Sequence, residues 1–243
     1  MKQLMQKTSS TTGAALLLAL SLLTVGCQTG GRPASTTPPT RTEQQTSTPA
    51  QVRQRLADGN ARYVAGTPLA RDWAMARAAT AGGQFPYAAV LSCLDSRTSA
   101  EIIFDQGHGE IFNARVAGNI LNDDILGSLE FACQVAGAKL IAVIGHAECG
   151  AVKGACSGAK LGHLTGLLER IKPAVTQVSG GQAVDAATQP HIVNAVAEAN
   201  VRLVLRQIRE RSPVLRALLD TGKIALAGGL YDLHSGRVNF LND

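Results

Sequence analysis

The sequence has few of the features that mark nucleic-acid-binding or repeat proteins. Aromatic residues make up only 4% of its 243 residues, and no basic cluster is interleaved with them. Nucleic-acid-binding proteins use basic patches and stacking aromatics, so a net charge of +5 alone does not predict such a partner. No internal repeat is evident either, so a repeat architecture is not expected.

The long apolar run near the N-terminus is too short to span a membrane. It covers residues 14–25, whereas a spanning helix needs about 20 apolar residues. It follows a stretch, residues 1–12, that carries two lysines and no acidic residue. This layout predicts a signal peptide over residues 1–26.

The end of that run predicts a lipid anchor. Gly26 and Cys27 stand there, and a small residue followed by cysteine resembles the lipobox of bacterial lipoproteins, in which the cysteine is diacylated. Thr24 departs from the leucine usual at its position, and ordinary secretory cleavage nearby is the alternative. Two acyl chains hold a protein on a bilayer. With Gln28 after the cysteine, the resemblance implies an outer-membrane lipoprotein on the periplasmic side of a bacterial envelope.

The segment after the cysteine contains too few large apolar residues to form a core. Residues 27–49 are rich in threonine, proline, glycine and glutamine, which predicts a flexible tether. We therefore expect the globular domain to span residues 50–243.

From residue 50 onward, apolar runs of strand length alternate with helical patterns. We predict strands over residues 87–91, 110–116, 140–144 and 224–230, with a short edge strand over 238–241. Apolar residues that recur every three or four positions predict a long amphipathic helix after Pro190; they are Val193, Ala197, Val201, Val204 and Ile208. The fold class is α/β, with a central, mostly parallel sheet of four to five strands flanked by helices.

Two cysteines and a histidine follow two of these predicted strands. Cys93 follows the run AAVLS, and His146 and Cys149 follow LIAVIG. Because ligands bind at the carboxyl ends of parallel strands, the three side chains are expected to converge. Two thiolates and one imidazole are ligands that suit zinc.

A three-ligand set favours a catalytic zinc, because a structural site would have a fourth cysteine or histidine. Cys133 and Cys156 are expected to be buried core thiols instead. A structural disulfide between Cys93 and Cys149 is the alternative, since the predicted compartment is oxidising. The remaining histidines, His108, His163, His191 and His234, are expected on the surface, and their spacing selects none of them as a proton relay.

The segments CLDSR (residues 93–97) and HAECG (146–150) together resemble the paired signature of beta-class carbonic anhydrases. The resemblance is dense over residues 84–158 and includes AEIIFDQGHGEIF, ARVAGNI and GAVKGAC. It implies a zinc enzyme, with one Zn²⁺ per chain, that reversibly hydrates carbon dioxide to bicarbonate and a proton by zinc-bound hydroxide. Hydrolysis of carbonyl sulfide or carbon disulfide is a rival reaction, and a non-catalytic zinc- or bicarbonate-binding lipoprotein is a rival from another class.

The same resemblance implies roles for individual residues. Cys93, His146 and Cys149 match the zinc ligands, and Asp95 and Arg97 match a carboxylate–guanidinium pair in which Arg97 keeps Asp95 ionised. Asp95 either accepts a hydrogen bond at the open site or becomes a fourth zinc ligand in a closed state.

Four further positions match residues that bind the substrate in this family: Gln84, Phe112, Phe131 and Gly150. Phe131 departs from a tyrosine of the plant-like members, and Thr98 and Ser99 depart from a common Val-Pro. A tryptophan of another branch, part of an inhibitory bicarbonate site, is replaced by Val90, so that site is not expected.

The resemblance also implies a homodimer or tetramer whose active site spans two chains. The residue matching Gln84 reaches the neighbouring subunit's zinc in the family, and an N-terminal helical arm, here within residues 51–66, embraces that neighbour. Val52, Leu56 and Tyr63 form an apolar stripe on this arm, which favours a subunit contact. A helix folded back on its own domain is the alternative.

Overall fold

The described chain alternates strands and helices around one sheet. The structure, a computed structural model, describes residues 37–182 and 184–242. Its strands are β1 (Ala88–Ser92), β2 (Ile111–Arg115), β3 (Leu140–His146), β4 (Ala225–Tyr231) and β5 (Val238–Phe240). They form a sheet in the order β2-β1-β3-β4-β5, in which β5 is antiparallel to β4 and the other pairs are parallel. The predicted α/β fold with a mostly parallel sheet is confirmed.

Helices precede β1 and connect the four parallel strands to one another. They are α1 (Arg41–Thr46), α2 (Pro49–Ala65), α3 (Trp73–Thr80), α4 (Ala100–Ile103), α5 (Asp123–Glu130), α6 (Gly150–Cys156), α7 (Gly162–Glu169), α8 (Lys172–Ser179), α9 (Pro190–Arg211) and α10 (Pro213–Asp220). A π-helical segment, Phe131–Val135, continues α5, and a short 3₁₀ turn covers Ala117–Asn119.

The sheet is covered on both faces, as a parallel sheet requires. Successive residues of a strand point to opposite faces. Ala89 and Leu91 of β1 therefore pack with α5, α9 and α10, whereas Ala88 and Val90 pack with α2 and α4. The predicted long helix is α9, and its stripe from Val193 to Ile208 is buried as expected.

The tether prediction extends too far along the chain. Residues 41–46 form α1, which begins with a capping box between Thr40 and Glu43. Gln44 is buried, and its amide donates hydrogen bonds of 2.8 Å to the carbonyl oxygens of Pro86 and Ala136. These hydrogen bonds join a polar side chain to backbone groups that are distant in sequence. The low apolar content of the segment therefore could not predict that it is held against the domain.

The apolar stripe of α2 packs on its own domain, which contradicts the reading of it as a subunit contact. Val52 and Leu56 are each 1% exposed and lie in the core between α2 and the sheet. Asn60 donates to the carbonyl oxygens of Ile103 and Gly236 at 2.9 Å. At Gly59, a Cβ would lie 1.8 Å from the carbonyl oxygen of Phe104, so only glycine allows this close approach. The arm is therefore an integral part of the fold of one chain.

The predicted signal peptide and Cys27 lie outside the described residues. Within the part of the chain that the structure describes, none of the helices is long and apolar enough to cross a membrane.

Candidate metal centre

The carboxyl ends of two neighbouring strands bring the predicted metal ligands together. Cys93 directly follows β1, His146 is the last residue of β3, and Cys149 precedes α6. Because β1 and β3 are paired in parallel, their ends meet at one edge of the sheet. The ligand atoms of the three residues lie within 4.8 Å of one another, and all three residues are buried. The predicted convergence is therefore present.

His146 is oriented as a metal-binding histidine should be. Its Nδ1 lies 2.9 Å from the carbonyl oxygen of Ala147, which requires Nδ1 to carry the proton and donate. Its Nε2 is then unprotonated, with a free lone pair, and it is buried without a hydrogen-bond partner among the described residues. Metal-binding histidines have this arrangement, with one nitrogen donating to a carbonyl and the other free for the ion.

The two thiols are close but not bonded. Their sulfur atoms are 3.9 Å apart, far beyond the roughly 2.05 Å of a disulfide. The hydrogen bond from Cys149 lowers the pKa of the Cys93 thiol, and the same interaction raises the pKa of Cys149. One thiolate is thus stable without a cation, whereas two adjacent thiolates need a cation between them. The disulfide alternative does not describe this structure, and the donor set fits Zn²⁺.

The backbone of Gly118 supports Cys93. Its N–H donates to the Cys93 sulfur at 3.3 Å, and its φ of 66° lies in the left-handed region that favours glycine. Asn200 of α9 donates to the Gly118 carbonyl oxygen at 2.9 Å and so fixes this turn. A Cβ on Gly118 would lie 2.6 Å from Cδ1 of Ile171, which leaves no room for a side chain.

Asp95 and Arg97 form the predicted ion pair at the rim. Arg97 donates from Nε to Oδ1 of Asp95 at 2.9 Å and from Nη2 to Oδ2 at 2.8 Å. The Arg97 backbone N–H also donates to Oδ1, at 2.9 Å. The Arg97 side chain thereby holds the pKa of Asp95 well below its usual range, and the carboxylate stays ionised at neutral pH.

The loop between Cys93 and Asp95 is held by two side chains that sequence reasoning did not select. Thr98 is buried, and its hydroxyl contacts the carbonyl oxygens of Cys93 at 3.0 Å and Asp95 at 2.9 Å. Arg115, at the end of β2, donates to the same two carbonyl oxygens, at 3.0 Å to that of Cys93. Backbone carbonyls carry no residue-type signature, so neither contact could be read from the sequence.

Comparison with known proteins identifies the family. The model of the carbonic anhydrase family matches residues 88–238, which include all three candidate ligands and the Asp95–Arg97 pair. A carbonic anhydrase of Mycolicibacterium smegmatis is 37% identical over 200 residues, covering 79% of this chain and 93% of the relative. Carbonic anhydrase 2 of Mycobacterium tuberculosis is 36% identical over 197 residues, covering 78% of this chain and 91% of that protein.

The chain belongs to the carbonic anhydrase family. Among solved structures, it is similar to one of two tetrameric beta-carbonic anhydrases of the ascomycete Sordaria macrospora. The TM-score is 0.61 at 26% identity, with 67% of this chain and 84% of that chain covered. The class is therefore beta, the cofactor is zinc, and the reaction is the hydration of carbon dioxide.

Within one chain, not all of the predicted substrate-binding residues lie near the candidate zinc ligands. Gln84 precedes β1 whereas Cys93 follows it, so about 16 Å of strand separates their backbones. Phe112 is paired with Ala89 inside the sheet, three residues from the carboxyl end of β2. Its ring packs edge-on to that of the half-exposed Phe131, with centroids 6.3 Å apart.

Gly150 is the predicted substrate residue that lies beside the ligands. It directly follows Cys149 and begins α6. Among the described residues, nothing lies within 4 Å of where its Cβ would be, so the space beside Cys149 is free at this point.

Proposed function

We propose that Cys93, His146 and Cys149 hold the catalytic zinc of a carbonic anhydrase that reversibly hydrates carbon dioxide to bicarbonate and a proton. The observation that carries this assignment is the bare, buried Nε2 of His146, which faces the same point as two free thiols. Zinc at this point supplies the Lewis acidity that makes water a nucleophile near neutral pH.

Asp95 has the role of aligning the attacking water. Among the described residues, Oδ1 of Asp95 accepts two hydrogen bonds from Arg97 and Oδ2 accepts one. Oδ2 therefore has the greater remaining capacity to accept a hydrogen bond from a reacting water. The described metal-binding group comprises the two cysteines and His146 without Asp95. This favours the open arrangement, in which Asp95 orients water rather than binding the ion.

The carbon dioxide pocket is completed, in this proposal, by a second copy of the chain. Gln84 and Phe112 lie away from the ligands of their own chain, and the half-exposed ring of Phe131 packs on Phe112, whereas Gly150 lies beside the ligands. The Sordaria macrospora relatives are tetrameric, which supports an oligomer here. A partner's Gln84 and aromatic rings would then supply a polar contact and apolar walls for the substrate.

Zinc content tests the ligand assignment separately from activity. We expect Cys93→Ala, His146→Ala and Cys149→Ala each to lose zinc, because a two-ligand site rarely retains the ion. Cys133→Ala is the matched control, since Cys133 is also buried but lies in the core beside α5. Stoichiometric zinc in any of the three ligand variants would overturn the assignment.

The N-terminal sequence supports a location on the cell envelope. Residues 1–26 have the layout of a signal peptide, and Cys27 follows Gly26 in a lipobox-like context. The proposed mature protein is anchored by lipid on Cys27 and faces the periplasm from the outer membrane. Two acyl chains would make this attachment stable.

Fatty-acid labelling tests the anchor. The wild-type chain should incorporate labelled palmitate and sediment with membranes, whereas Cys27→Ser should do neither. A wild type that is exported and cleaved without incorporating label would show that the segment is an ordinary secretory signal peptide.

A further inference from the structure

Each hydration event leaves a proton to be removed from a buried centre. His146 and Cys149 are 1% exposed and Cys93 is 5% exposed, so bulk buffer has little direct access to the ligand group. Another group must therefore pass the proton to solvent.

A cavity at the same edge of the sheet is lined by sequence neighbours of the ligands. It has a volume of about 470 Å³, and its walls include Ser96 and Arg97 from the loop after Cys93. Glu148, which stands between the ligands His146 and Cys149, lines it from another side. His234, from the turn after β4, stands at its outer edge with 82% of its side chain exposed.

His234 and Glu148 are in contact across this cavity. Nε2 of His234 lies 3.3 Å from Oε1 of Glu148. The backbone of Glu148 is held in place, since its N–H donates to Oδ1 of Asn194 at 3.1 Å. His234 is therefore tied to the short segment that carries two of the three ligands.

The charged surroundings of His234 are mixed. Glu148 faces its ring, and Asp232 accepts a hydrogen bond from its backbone N–H at 3.0 Å. Lys153 of α6 lies 3.9 Å from the other Glu148 oxygen, and Arg97 lines the same cavity. The phenol oxygens of Tyr63 and Tyr231, 3.2 Å apart, also line the cavity.

We propose that His234, positioned by Glu148, is the proton-transfer residue that connects the metal centre to bulk buffer. This inference rests on the proposed function. Imidazole suits the task because its charge changes near neutral pH and its two nitrogens can accept and release protons on opposite sides. The high exposure of His234 lets buffer molecules reach the ring, which a buried relay would prevent.

The proton balance is simple. Water and carbon dioxide give bicarbonate and one proton, which water in the cavity passes to an imidazole nitrogen of His234. The imidazolium then releases a proton to a buffer base and returns to its neutral form. No oxidant, reductant or further co-reactant is needed.

The test separates proton transfer from the conversion of carbon dioxide. His234→Gln keeps a polar side chain that can donate to Glu148 but cannot carry a proton. In dilute buffer, we expect kcat for hydration to fall at least about tenfold while kcat/KM and zinc content stay at wild-type values. Concentrated imidazole buffer should restore kcat. His163→Gln, on the exposed surface of α7, is the control and should change none of these.

A second readout does not depend on activity. The imidazole ¹⁵N resonances of His234 should move when Glu148→Gln removes the carboxylate, whereas those of His163 should not. Unchanged His234 resonances would overturn the contact on which the proposal depends.

Three kinetic outcomes count against the proposal. Wild-type kcat of His234→Gln in dilute buffer would overturn it. Equal losses of kcat and kcat/KM that imidazole does not restore would show a structural role instead. A wild type that binds zinc but does not hydrate carbon dioxide would overturn the proposed function itself, so the two failures are distinguishable.

Discussion

At the scale of single residues, we propose that Asp95 acts through its charge rather than as a zinc ligand. Asp95→Asn should keep stoichiometric zinc, because Asp95 is not part of the described Cys–His–Cys group. It should lose about 100-fold in kcat/KM, since an uncharged amide facing the Arg97 guanidinium cannot accept a hydrogen bond from a reacting water as strongly as a carboxylate does. Zinc analysis measures the metal content, and stopped-flow hydration measures kcat/KM. Hydration at wild-type rates would leave Asp95 without a role in the reaction.

Gly118 provides a second test at this scale. Gly118→Ala forces a Cβ to 2.6 Å from Cδ1 of Ile171 at a φ of 66°, so we expect a loss of about 1–3 kcal/mol in unfolding free energy. Zinc binding should also weaken, because the N–H that supports Cys93 moves. Gly180→Ala is the control: its φ is 63°, but nothing among the described residues lies within 4 Å of its Cβ position. Equal effects of the two substitutions in urea denaturation would contradict the account.

These residues show where sequence reasoning succeeded. Cys93, His146 and Cys149 could be predicted because ligand chemistry restricts the residue type and strand ends restrict the place. Gly118 lies in the segment ARVAGNI, which resembles beta-class carbonic anhydrases, but the sequence did not predict a role for it. Thr98 and Arg115 act on backbone carbonyls, and Asn200 lies on the buried stripe of α9. Only the folded geometry shows those contacts.

At the scale of elements, Asp105 fixes α2 to the body of the domain. It follows α4, is 2% exposed in its side chain, and accepts from Nε of Arg62 at 2.6 Å and from Nη1 of Arg71 at 2.5 Å. Burial raises the pKa of Asp105, but the hydrogen bonds from the two arginines and from the Leu69 N–H, together with the charge of Arg71, outweigh it, so the net shift is downward. The charged cluster therefore stabilises the fold as long as the carboxylate is ionised.

We expect Asp105→Asn to lower the unfolding free energy by about 3–5 kcal/mol, because two arginines lose their shared counter-charge. Glu198→Gln, which breaks the exposed Glu198–Arg202 pair of α9, should cost less than about 1 kcal/mol. Since the pKa of Asp105 is lowered on folding, its contribution is present above the unfolded value of about 3.9 and is lost as the pH falls further. The difference in unfolding free energy between wild type and Asp105→Asn, measured in urea, should therefore become smaller in acid. No difference at neutral pH would contradict this role.

The strands and α9 could be predicted because their apolar periods are long and regular. The helical arm was predicted correctly, but the expectation that its apolar stripe contacts a neighbouring subunit was wrong. An apolar stripe such as Val52 and Leu56 does not say whether it meets its own sheet or another chain. Likewise, α1 is held by a polar contact of Gln44, which hydrophobic patterning does not report.

At the scale of the whole molecule, the separation of Gln84 from the ligands predicts a shared active site. We expect a mixture of Gln84→Ala and Cys149→Ala chains, refolded together, to show more hydration activity than either variant alone. In the heterodimer, one site would carry both lesions and the other would carry neither. Verified heterodimers without this gain, or a monomer in sedimentation, would show that one chain builds the complete site.

The central claim is that this chain hydrates carbon dioxide with zinc held by Cys93, His146 and Cys149. The most direct measurement is stopped-flow hydration of the full chain before zinc removal, after dialysis against a chelator, and after reloading with one Zn²⁺ per chain. The account predicts rapid hydration by the zinc-loaded protein, loss of the rate on removal, and recovery on reloading. A zinc-loaded protein that does not exceed the buffer blank, or a rate that survives complete zinc removal, would contradict it.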